Sequence, residues 1–471
     1  MNHPYAFAGA LRRPLPESMI AALRDRFGER FSTAQAVRDH HGRDESPFPA
    51  VPPDAVVYAH STGEVAEVVK LCAANKVPLI PFGVGSSLEG HLLAVHGGLT
   101  IDLSQMNAVL SINAEDLTVT VQAGVTRKQL NEALKSTGLF FPIDPGADAT
   151  LGGMSATRAS GTNAVRYGTM KENVLGLTVV TADGKVVRTA TRARKSSAGY
   201  DLTRLFVGSE GTLGVITEVT VRLYPVPEAI SAAVVNFPSM TAAVNTVIQT
   251  IQLGVPVARS EFLCERSIGA INAHSKTTLR EAPTLFFEFH GSEASVKEQA
   301  ELVQQLAHEH GGQDFEWASR PEDRTRLWNA RHNAYFAALQ MRPGSRAIST
   351  DTCVPISRLA ESIVGAREIL DSADFPTAIL GHVGDGNFHA VLLIDPDNPA
   401  EIEQAEQLNN RIVRLAQSVD GTCTGEHGVG LHKMGFLRDE AGDDAVDLMR
   451  RIKHAFDPDN ILNPGKIFAF D

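Results

Sequence analysis

Apolar residues recur along the chain with two different spacings, which predict helices in some segments and strands in others. Val65, Val69 and Cys72 follow helical spacing. Ser61 precedes them and Glu64 stands three residues later, which is the order of a helix capping box. These positions predict a helix that starts after Ser61 and turns its apolar side to a core.

Other segments carry the alternating or β-branched patterns that are typical of strands. Residues 117–122 alternate polar and apolar side chains. Residues 174–189 form two β-rich runs around Asp183 and Gly184, a pair that favours a hairpin turn. A further strand pattern at 214–226 ends in prolines, and longer helices and strands follow it. We therefore predict mixed α and β structure with a boundary near residue 226.

This pattern divides the chain into four predicted parts. They are an N-terminal helical segment (1–50), a first domain (51–226), a second domain (227–440) and a C-terminal helix with a proline-bounded tail (441–471).

Composition excludes several classes of protein. The formal charge is 43 − 55 = −12, which argues against a surface for nucleic acid. Four widely spaced cysteines without a CxxC pair argue against a disulfide scaffold or a zinc cluster and favour a reducing compartment. We find no apolar run of about 18 residues and no signal-peptide pattern. We therefore expect a cytoplasmic protein with at most peripheral membrane contact.

Glycines cluster in three places that strands separate. Residues 83–90 (GVGSSLEG) match neither the dinucleotide fingerprint nor the phosphate-binding loop. Backbone N–H groups of such a turn can form a nest for a pyrophosphate, although an ordinary surface turn is the alternative. Two further clusters, at 146–184 and 199–214, favour a large planar cofactor that carries phosphates, because small side chains let backbone approach a flat ligand.

A second candidate site combines histidines with a carboxylate. His382 and His389 flank a tight turn that contains Asp385, so we expect the two rings to lie close together. Glu426 and His427 stand in a later glycine-rich loop. Two histidines and one carboxylate suit a divalent ion such as Zn²⁺ or Mn²⁺. The alternatives are two unrelated surface loops, or Asp385 as a ligand, although a turn-forming role suits Asp385 better.

Several basic residues near these motifs have ambiguous roles. Arg331 can clamp a substrate carboxylate in bidentate fashion or belong to a structural ion pair. Arg342 and Arg346 have the same two options. We expect His432 and Lys433 to face solvent, because no partner pattern accompanies them.

The glycine clusters resemble a known cofactor domain. PFGVGSSLEGH (81–91), residues 145–168 and LFVGSEGTLGVIT (205–217) are similar to the FAD-binding domain of the vanillyl-alcohol oxidase / p-cresol methylhydroxylase (PCMH) superfamily. The resemblance implies an α+β, two-domain flavoprotein with a PCMH-type FAD-binding domain, an α+β substrate (cap) domain and a C-terminal tail that returns to the FAD domain. It implies non-covalent FAD, with His91 as the alternative covalent anchor. The implied cofactor-binding residues are Gly83, Gly85, Ser86, Ser87, Gly146, Gly152, Gly153, Thr157, Ser160, Gly161, Tyr167, Glu210, Gly211, Gly214, Ile216 and Asn463.

The second domain resembles the respiratory, FAD-dependent D-lactate dehydrogenases and the wider D-2-hydroxyacid dehydrogenase family. The similar segments are 328–359, 381–397 and 421–433. The resemblance implies His382, His389 and Glu426 as metal ligands. It also implies His427 as catalytic base and Arg331 as the residue that binds the substrate carboxylate.

This resemblance implies oxidation of a D-2-hydroxyacid, with D-lactate as first candidate. The alternatives are D-2-hydroxyglutarate, glycolate, or a flavin electron-transfer subunit without its own substrate. Electrons would pass from FAD to a quinone, a cytochrome or an electron-transfer flavoprotein, and not to NAD. We expect no nucleic acid partner, and the oligomeric state stays open, with a homodimer among the options.

Overall fold

The computed structural model describes residues 12–469. The strands in these residues are β1 (Phe31–Ser32), β2 (Ala55–Tyr58), β3 (Leu79–Phe82), β4 (Leu99–Asp102), β5 (Val109–Asn113), β6 (Thr118–Gln122), β7 (Leu139–Phe140), β8 (Val174–Val180), β9 (Val186–Arg188), β10 (Val215–Arg222), β11 (Tyr224–Pro225), β12 (Ala229–Asn236), β13 (Val257–Leu263), β14 (Thr284–Gly291), β15 (Gln313–Ala318), β16 (Arg346–Ser349), β17 (Thr352–Cys353), β18 (Thr377–His382) and β19 (Asn387–Ile394).

The helices in the same residues are α1 (Glu17–Phe27), α2 (Gln35–His41), α3 (Thr62–Asn75), α4 (Arg127–Leu134), α5 (Leu151–Thr157), α6 (Ala164–Tyr167), α7 (Met170–Asn173), α8 (Leu202–Phe206), α9 (Met240–Gln252), α10 (Glu265–Ser275), α11 (Glu293–Glu309), α12 (Pro321–His332), α13 (Ala334–Leu339), α14 (Leu359–Leu370), α15 (Pro399–Gln417), α16 (Met434–Ala441) and α17 (Asp443–Phe456). Short 3₁₀ turns lie at Gly28–Arg30, Lys135–Thr137 and Ile356–Arg358. None of the described helices combines the length and apolar character that crossing a bilayer requires.

The chain forms two compact units. The N-terminal unit contains residues 12–160, Gly168–Val226 and 426–469, and the inserted unit contains Gly161–Tyr167 and Pro227–Gly425. The N-terminal unit gives way to the inserted unit after Val226, which is where the sequence pattern changes. The inserted unit ends at Gly425 and not at the predicted residue 440, because the backbone of 429–431 hydrogen-bonds to residues of the N-terminal unit.

Three sheets build the N-terminal unit. β1, β2, β4 and β3 form one sheet in that order, with β2, β4 and β3 parallel. β5, β6, β10, β8 and β9 form an antiparallel sheet, and β11 pairs with β7. The predicted hairpin around Asp183 and Gly184 is confirmed by the antiparallel pairing of β8 with β9. The capping box before α3 is only half made, because Ser61 accepts the Glu64 N–H while the Glu64 carboxylate bonds His60 N–H and Arg30 instead.

The C-terminal tail packs within the N-terminal unit. Leu79 N–H donates to the Ile461 carbonyl over 2.7 Å, and Asn463 N–H donates to the Leu79 carbonyl over 2.9 Å. The buried Lys453 ammonium donates to the Leu462 carbonyl and to Asp457. These bonds extend the edge of β3 and hold the tail beside the strand that precedes the glycine-rich loop.

One large antiparallel sheet organises the inserted unit. Its strand order is β15-β12-β14-β13-β18-β19-β16, and β17 also pairs with β19. On the face covered by α10, α12 and α13, apolar side chains such as Leu263, Phe286, Leu380 and Val391 form a core. Helix α6 also belongs to this unit, since it packs on β13.

That sheet face changes from apolar to polar along four neighbouring strands. Because side chains alternate along a strand, positions two apart share a face. The same face therefore continues from the apolar core to polar residues, which are Glu288 and His290 on β14, Glu261 and Arg259 on β13, His382 on β18, and His389 and Asn387 on β19. We call this set the polar end of the sheet.

Candidate active site

The glycine-rich loop after β3 approaches the start of α5 closely. A Cβ on Gly83 would lie 2.6 Å from Thr150 Oγ1, so a larger residue would displace that contact. Gly85 has a φ of +77°, which side chains other than glycine rarely adopt. Ser86 and Ser87 follow and are half-buried. The loop therefore exposes part of its backbone, as a site for a phosphate-bearing ligand requires.

The predicted cofactor residues differ in burial. Gly83, Gly85, Ser86, Ser87 and Thr157 are half-buried, and Gly146 and Gly153 are exposed. The remaining members are buried; they are Gly152, Ser160, Gly161, Tyr167, Glu210, Gly211, Gly214, Ile216 and Asn463. Gly161 and Tyr167 lie in the inserted unit and the others in the N-terminal unit. Contact of each with FAD stays a prediction.

Glu210 has a structural role within the N-terminal unit. Its carboxylate accepts the N–H groups of Val429 and Gly430 over 2.7 and 2.9 Å. The His91 ring lies 3.2 Å from the same carboxylate, in ion-pair contact. Burial alone would lower the pKa of His91, but the charge of Glu210 outweighs it and raises that pKa. Asn463 donates to the carbonyls of His91 and Glu210, which ties the tail to both loops.

Glu89 gathers three basic side chains that the sequence did not connect with it. His427 Nδ1 lies 3.3 Å, His432 Nδ1 2.9 Å and Lys433 Nζ 2.8 Å from its carboxylate. The prediction that His432 and Lys433 face solvent is wrong, because only 11% of the His432 side chain and 2% of the Lys433 side chain are exposed. Burial of Glu89 would raise its pKa, but Lys433 and the two imidazoles outweigh this and hold that pKa well below its usual range.

In the inserted unit, Glu261 joins two of the predicted site residues. Its carboxylate is fully buried and lies 2.8 Å from His382 Nδ1. It also accepts from Arg331, over 2.8 Å from Nε and 2.6 Å from Nη2. Burial would raise the pKa of Glu261, yet the charges of His382 and Arg331 lower it. Arg331 therefore takes the option of a buried ion pair, and this pair fixes the plane of its guanidinium.

The two histidines lie side by side, as predicted. Their ring centroids are 5.4 Å apart. His389 Nδ1 lies 3.0 Å from the Thr350 carbonyl oxygen, and His382 Nδ1 faces the Glu261 carboxylate. Because both partners only accept hydrogen bonds, each Nδ1 carries a proton, and in the neutral ring the lone pair is then on Nε2. This tautomer is the one that ligates a metal through Nε2.

Asp351 holds the segment that leads to Glu426. It is fully buried, and its carboxylate accepts from Thr424 Oγ1 and Asn387 Nδ2 over 2.8 and 2.9 Å. Its backbone carbonyl accepts the Gly425 N–H over 3.1 Å. A Cβ on Gly425 would lie only 1.9 Å from Asn387 Nδ2, so this position requires glycine. Glu426 follows Gly425 directly in the chain, whereas Asp385 is exposed in its turn.

A buried chain of polar groups continues along the polar end. Tyr167 OH lies 2.7 Å from His290 Nδ1, and His290 Nε2 lies 2.8 Å from Glu288 Oε1. Arg259 lies 3.6 Å from the same carboxylate oxygen. Helix α6, which carries Tyr167, packs against the turn between the two metal-candidate histidines, since a Cβ on Gly384 would lie 2.7 Å from Val165.

The sequence carried one signal for the residues that it did not identify. Glu261 directly precedes Phe262 and Leu263 in VARSEFL, and Glu288 stands between Phe287 and Phe289 in TLFFEFHG. A carboxylate at an inward-facing strand position is seldom buried without a partner. Such positions therefore indicate buried ion pairs, although they do not name the partner.

Comparison with known proteins agrees with these two units. The family model of the C-terminal domain of FAD-linked oxidases matches residues 226–467. The chain belongs to the FAD-linked oxidase family. The model of the FAD binding domain matches residues 53–190, which lie mainly in the N-terminal unit. The protein is therefore an FAD-linked oxidoreductase.

Two curated relatives of this FAD-linked oxidase match almost its whole length. The chain is 50% identical over 455 residues to a probable mitochondrial D-lactate dehydrogenase of Danio rerio, covering 96% of this chain and 92% of the relative. It is 47% identical to a mitochondrial D-lactate dehydrogenase [cytochrome] of Arabidopsis thaliana, covering 97% and 81%. A crystal structure of p-cresol methylhydroxylase with bound substrate superposes with a TM-score of 0.79 at 19% identity, covering 97% and 98%. This last likeness confirms the predicted PCMH-type fold.

Proposed function

We propose that this protein oxidises a D-2-hydroxyacid, with D-lactate as substrate and pyruvate as product. The observation that carries the proposal is the buried Glu261 carboxylate, which pairs with Arg331 and with His382, and the His382 ring lies next to that of His389. Two imidazoles on neighbouring strands and a guanidinium on helix α12 that is paired with Glu261 suit a small molecule with a carboxylate and a neighbouring hydroxyl. The names of the zebrafish and Arabidopsis relatives support D-lactate as that molecule.

One feature of the N-terminal unit supports FAD binding at the glycine-rich loop. The loop at Gly83 and Gly85 presents half-buried backbone without side chains, as close approach to a pyrophosphate requires. FAD, when bound, supplies the ring that accepts a hydride from the substrate. We propose non-covalent binding, because His91 is buried against Glu210 and serves there as an ion-pair partner.

The inserted unit fits a divalent metal through the chemistry of its donors. His382 and His389 each have Nδ1 held by a second residue, and a neutral histidine held in this way ligates a metal through Nε2. We propose these two histidines and Glu426 as ligands of Zn²⁺ or Mn²⁺, with Glu426 carried over from the family resemblance. A bound divalent ion would polarise the substrate hydroxyl and lower its pKa.

The remaining roles fall to this chain's own side chains. Arg331 has five N–H donors, and its contacts with Glu261 use those of Nε and Nη2. We propose that its other donors bind the substrate carboxylate, which orients the 2-hydroxyl and so selects the enantiomer. His427 turns Nδ1 to Glu89, so Nε2 is the atom that takes the hydroxyl proton.

Reduced FAD would need an electron acceptor, and we expect one other than NAD. We propose a quinone, a cytochrome or an electron-transfer flavoprotein; "[cytochrome]" in the name of the Arabidopsis relative supports the second. A cytoplasmic location with at most peripheral membrane contact stays a prediction, and the same holds for a homodimer. Both of these relatives are named as mitochondrial proteins.

Anaerobic flavin reduction tests this function directly. The purified protein should be yellow, and D-lactate should bleach it while L-lactate does not. After treatment with EDTA the bleaching by D-lactate should stop, and added Zn²⁺ or Mn²⁺ should restore it. Bleaching by neither enantiomer would overturn the substrate, and full activity after verified metal removal would overturn the metal's role.

A longer diacid substrate needs a second cation at the site to bind its distal carboxylate. Arg342, one of the candidates from the sequence, is already engaged elsewhere. Arg342 is paired with Glu401, with 2.6 Å between Nη1 and Oε2, and it also donates to the Leu393 carbonyl. This engagement argues against Arg342 as a ligand for the distal carboxylate of D-2-hydroxyglutarate. We therefore keep D-lactate as the substrate.

A further inference from the structure

Arg259 is a second cation at the polar end, separate from Arg331. It lies two positions from Glu261 on β13 and directly opposite Glu288 on β14, so all three side chains share one sheet face. Its side chain is 17% exposed, so it is not sealed into the core. Arg259 is therefore placed to pair with the second carboxylate of a dicarboxylate substrate, because it lies on the same strand as Glu261.

The surroundings of Arg259 hold it in one orientation. Its Nε donates to Asn163 Oδ1 over 3.0 Å, and its guanidinium lies 5.0 Å from the centre of the Trp328 ring. Its Nε is also 3.6 Å from Glu288 Oε1. The guanidinium is therefore a fixed part of the site and not a mobile surface group.

Glu288 is the carboxylate that opposes this charge. His290 Nε2 donates to it over 2.8 Å, and the Tyr167 hydroxyl donates to His290 Nδ1 over 2.7 Å, so the chain keeps the carboxylate in place. Burial would raise the pKa of Glu288, but Arg259 and His290 outweigh this and lower it, so the group stays ionised. Arg324 acts on Glu288 in the same direction and more weakly than Arg259.

We propose that Glu288 is a specificity-determining residue that neutralises Arg259 and thereby excludes substrates with a second carboxylate. This inference rests on the proposed oxidation of a 2-hydroxyacid. A monocarboxylate needs only the cation at Arg331 and the metal site. A second carboxylate would meet Glu288 itself, or an Arg259 whose charge is already matched, and would lose its hydration without gaining a partner.

The variant Glu288→Gln removes the charge and keeps an oxygen that accepts from His290. Its flavin reduction by D-lactate, D-malate and (R)-2-hydroxybutyrate should be compared with that of the wild-type holoenzyme. We expect the specificity for D-malate relative to D-lactate to rise about tenfold or more, because Glu288 then no longer repels the second carboxylate or offsets the charge of Arg259. The ratio for (R)-2-hydroxybutyrate, which matches D-malate in chain length without the charge, should stay the same.

Two further variants make the test independent of how well Glu288→Gln folds. Arg259→Gln removes the cation and leaves the Glu288 charge in place, so it should shift the D-malate to D-lactate ratio in the opposite direction. Glu64→Gln releases Arg30 instead, in the N-terminal unit, and should leave the ratio unchanged. The inference would be overturned if the D-malate to D-lactate ratio were the same in wild type, Glu288→Gln and Arg259→Gln while all three proteins bind FAD and oxidise D-lactate. The proposed function would still stand in that case. Failure of the wild type to oxidise any of the three acids would overturn the proposed function.

Discussion

The variant Glu261→Gln gives the sharpest test of how this site is held together. The wild-type carboxylate is fully buried and accepts charge-assisted bonds of 2.6 and 2.8 Å from Arg331, while His382 lies 2.8 Å away. Glutamine has the same size but turns one oxygen into an NH₂ group that faces donors. It also leaves the buried Arg331 cation without its counter-charge.

The expected effects follow from those contacts. Removing one partner of a buried pair typically costs about 3–5 kcal/mol, and we expect about 3 kcal/mol here because one accepting oxygen remains. His382 would lose the partner that fixes its tautomer, an effect of about 10–100-fold in metal affinity or activity. FAD content should stay that of the wild type, because Glu261 lies in the inserted unit and the FAD binding domain matches residues 53–190.

Two measurements check the Glu261→Gln prediction. Urea unfolding should show the loss in free energy of unfolding, and anaerobic reduction by D-lactate should show the loss in rate. The control Glu401→Gln breaks a less buried pair with Arg342 and should cost about 1 kcal/mol or less. A Glu261→Gln protein with wild-type stability and wild-type rate would refute the view that this carboxylate organises the site.

Three other predictions test separate parts of the structure. Arg30 lowers the pKa of Glu64 from 4.5 to about 2. The ion pair of these two residues therefore contributes fully to stability above about pH 4.5, and this contribution is lost as the pH falls through 2. The free energies of unfolding of wild type and Glu64→Gln, measured in urea, should differ at pH 6 and converge near pH 2. Gly425→Ala should lower both stability and activity, because the new Cβ would lie 1.9 Å from Asn387, whereas Gly435→Ala, with open space around it, should change neither. Metal removal should abolish flavin reduction by D-lactate while FAD stays bound. If FAD appears in the filtrate when the EDTA-treated protein is ultrafiltered, the metal and FAD do not bind at separate sites.

The secondary structure and the family could be predicted from sequence because their signals are local. Glycine placement at 83–90 and the apolar periodicity before Cys72 each depend on neighbours within a few residues. The turn between His382 and His389 also follows from local pattern, and the 5.4 Å separation of the two rings confirms it. Even the capping box shows the limit of such signals, since Glu64 bonds Arg30 in place of completing it.

Partners that are distant in sequence could not be predicted in this way. Glu261 meets Arg331 and His382 across 70 and 121 positions, and Glu89 meets His427 across 338. These encounters depend on strand order and on which loop returns to which strand. Local pattern carries no information about either, so His432 and Lys433 were wrongly predicted to face solvent.

The sequence by itself determined the kind of elements, the place where one unit gives way to the other near residue 226, and the chemical types of side chain available. Only the tertiary structure decided which charges oppose which. The polar end exists because two pairs of strands that are far apart in the chain, β13 with β14 and β18 with β19, are neighbours in one sheet, and their alternation turns the same face inward. Since burial makes an unmatched charge costly, that arrangement sets how Arg331 and Arg259 are paired. It therefore sets what the site can bind.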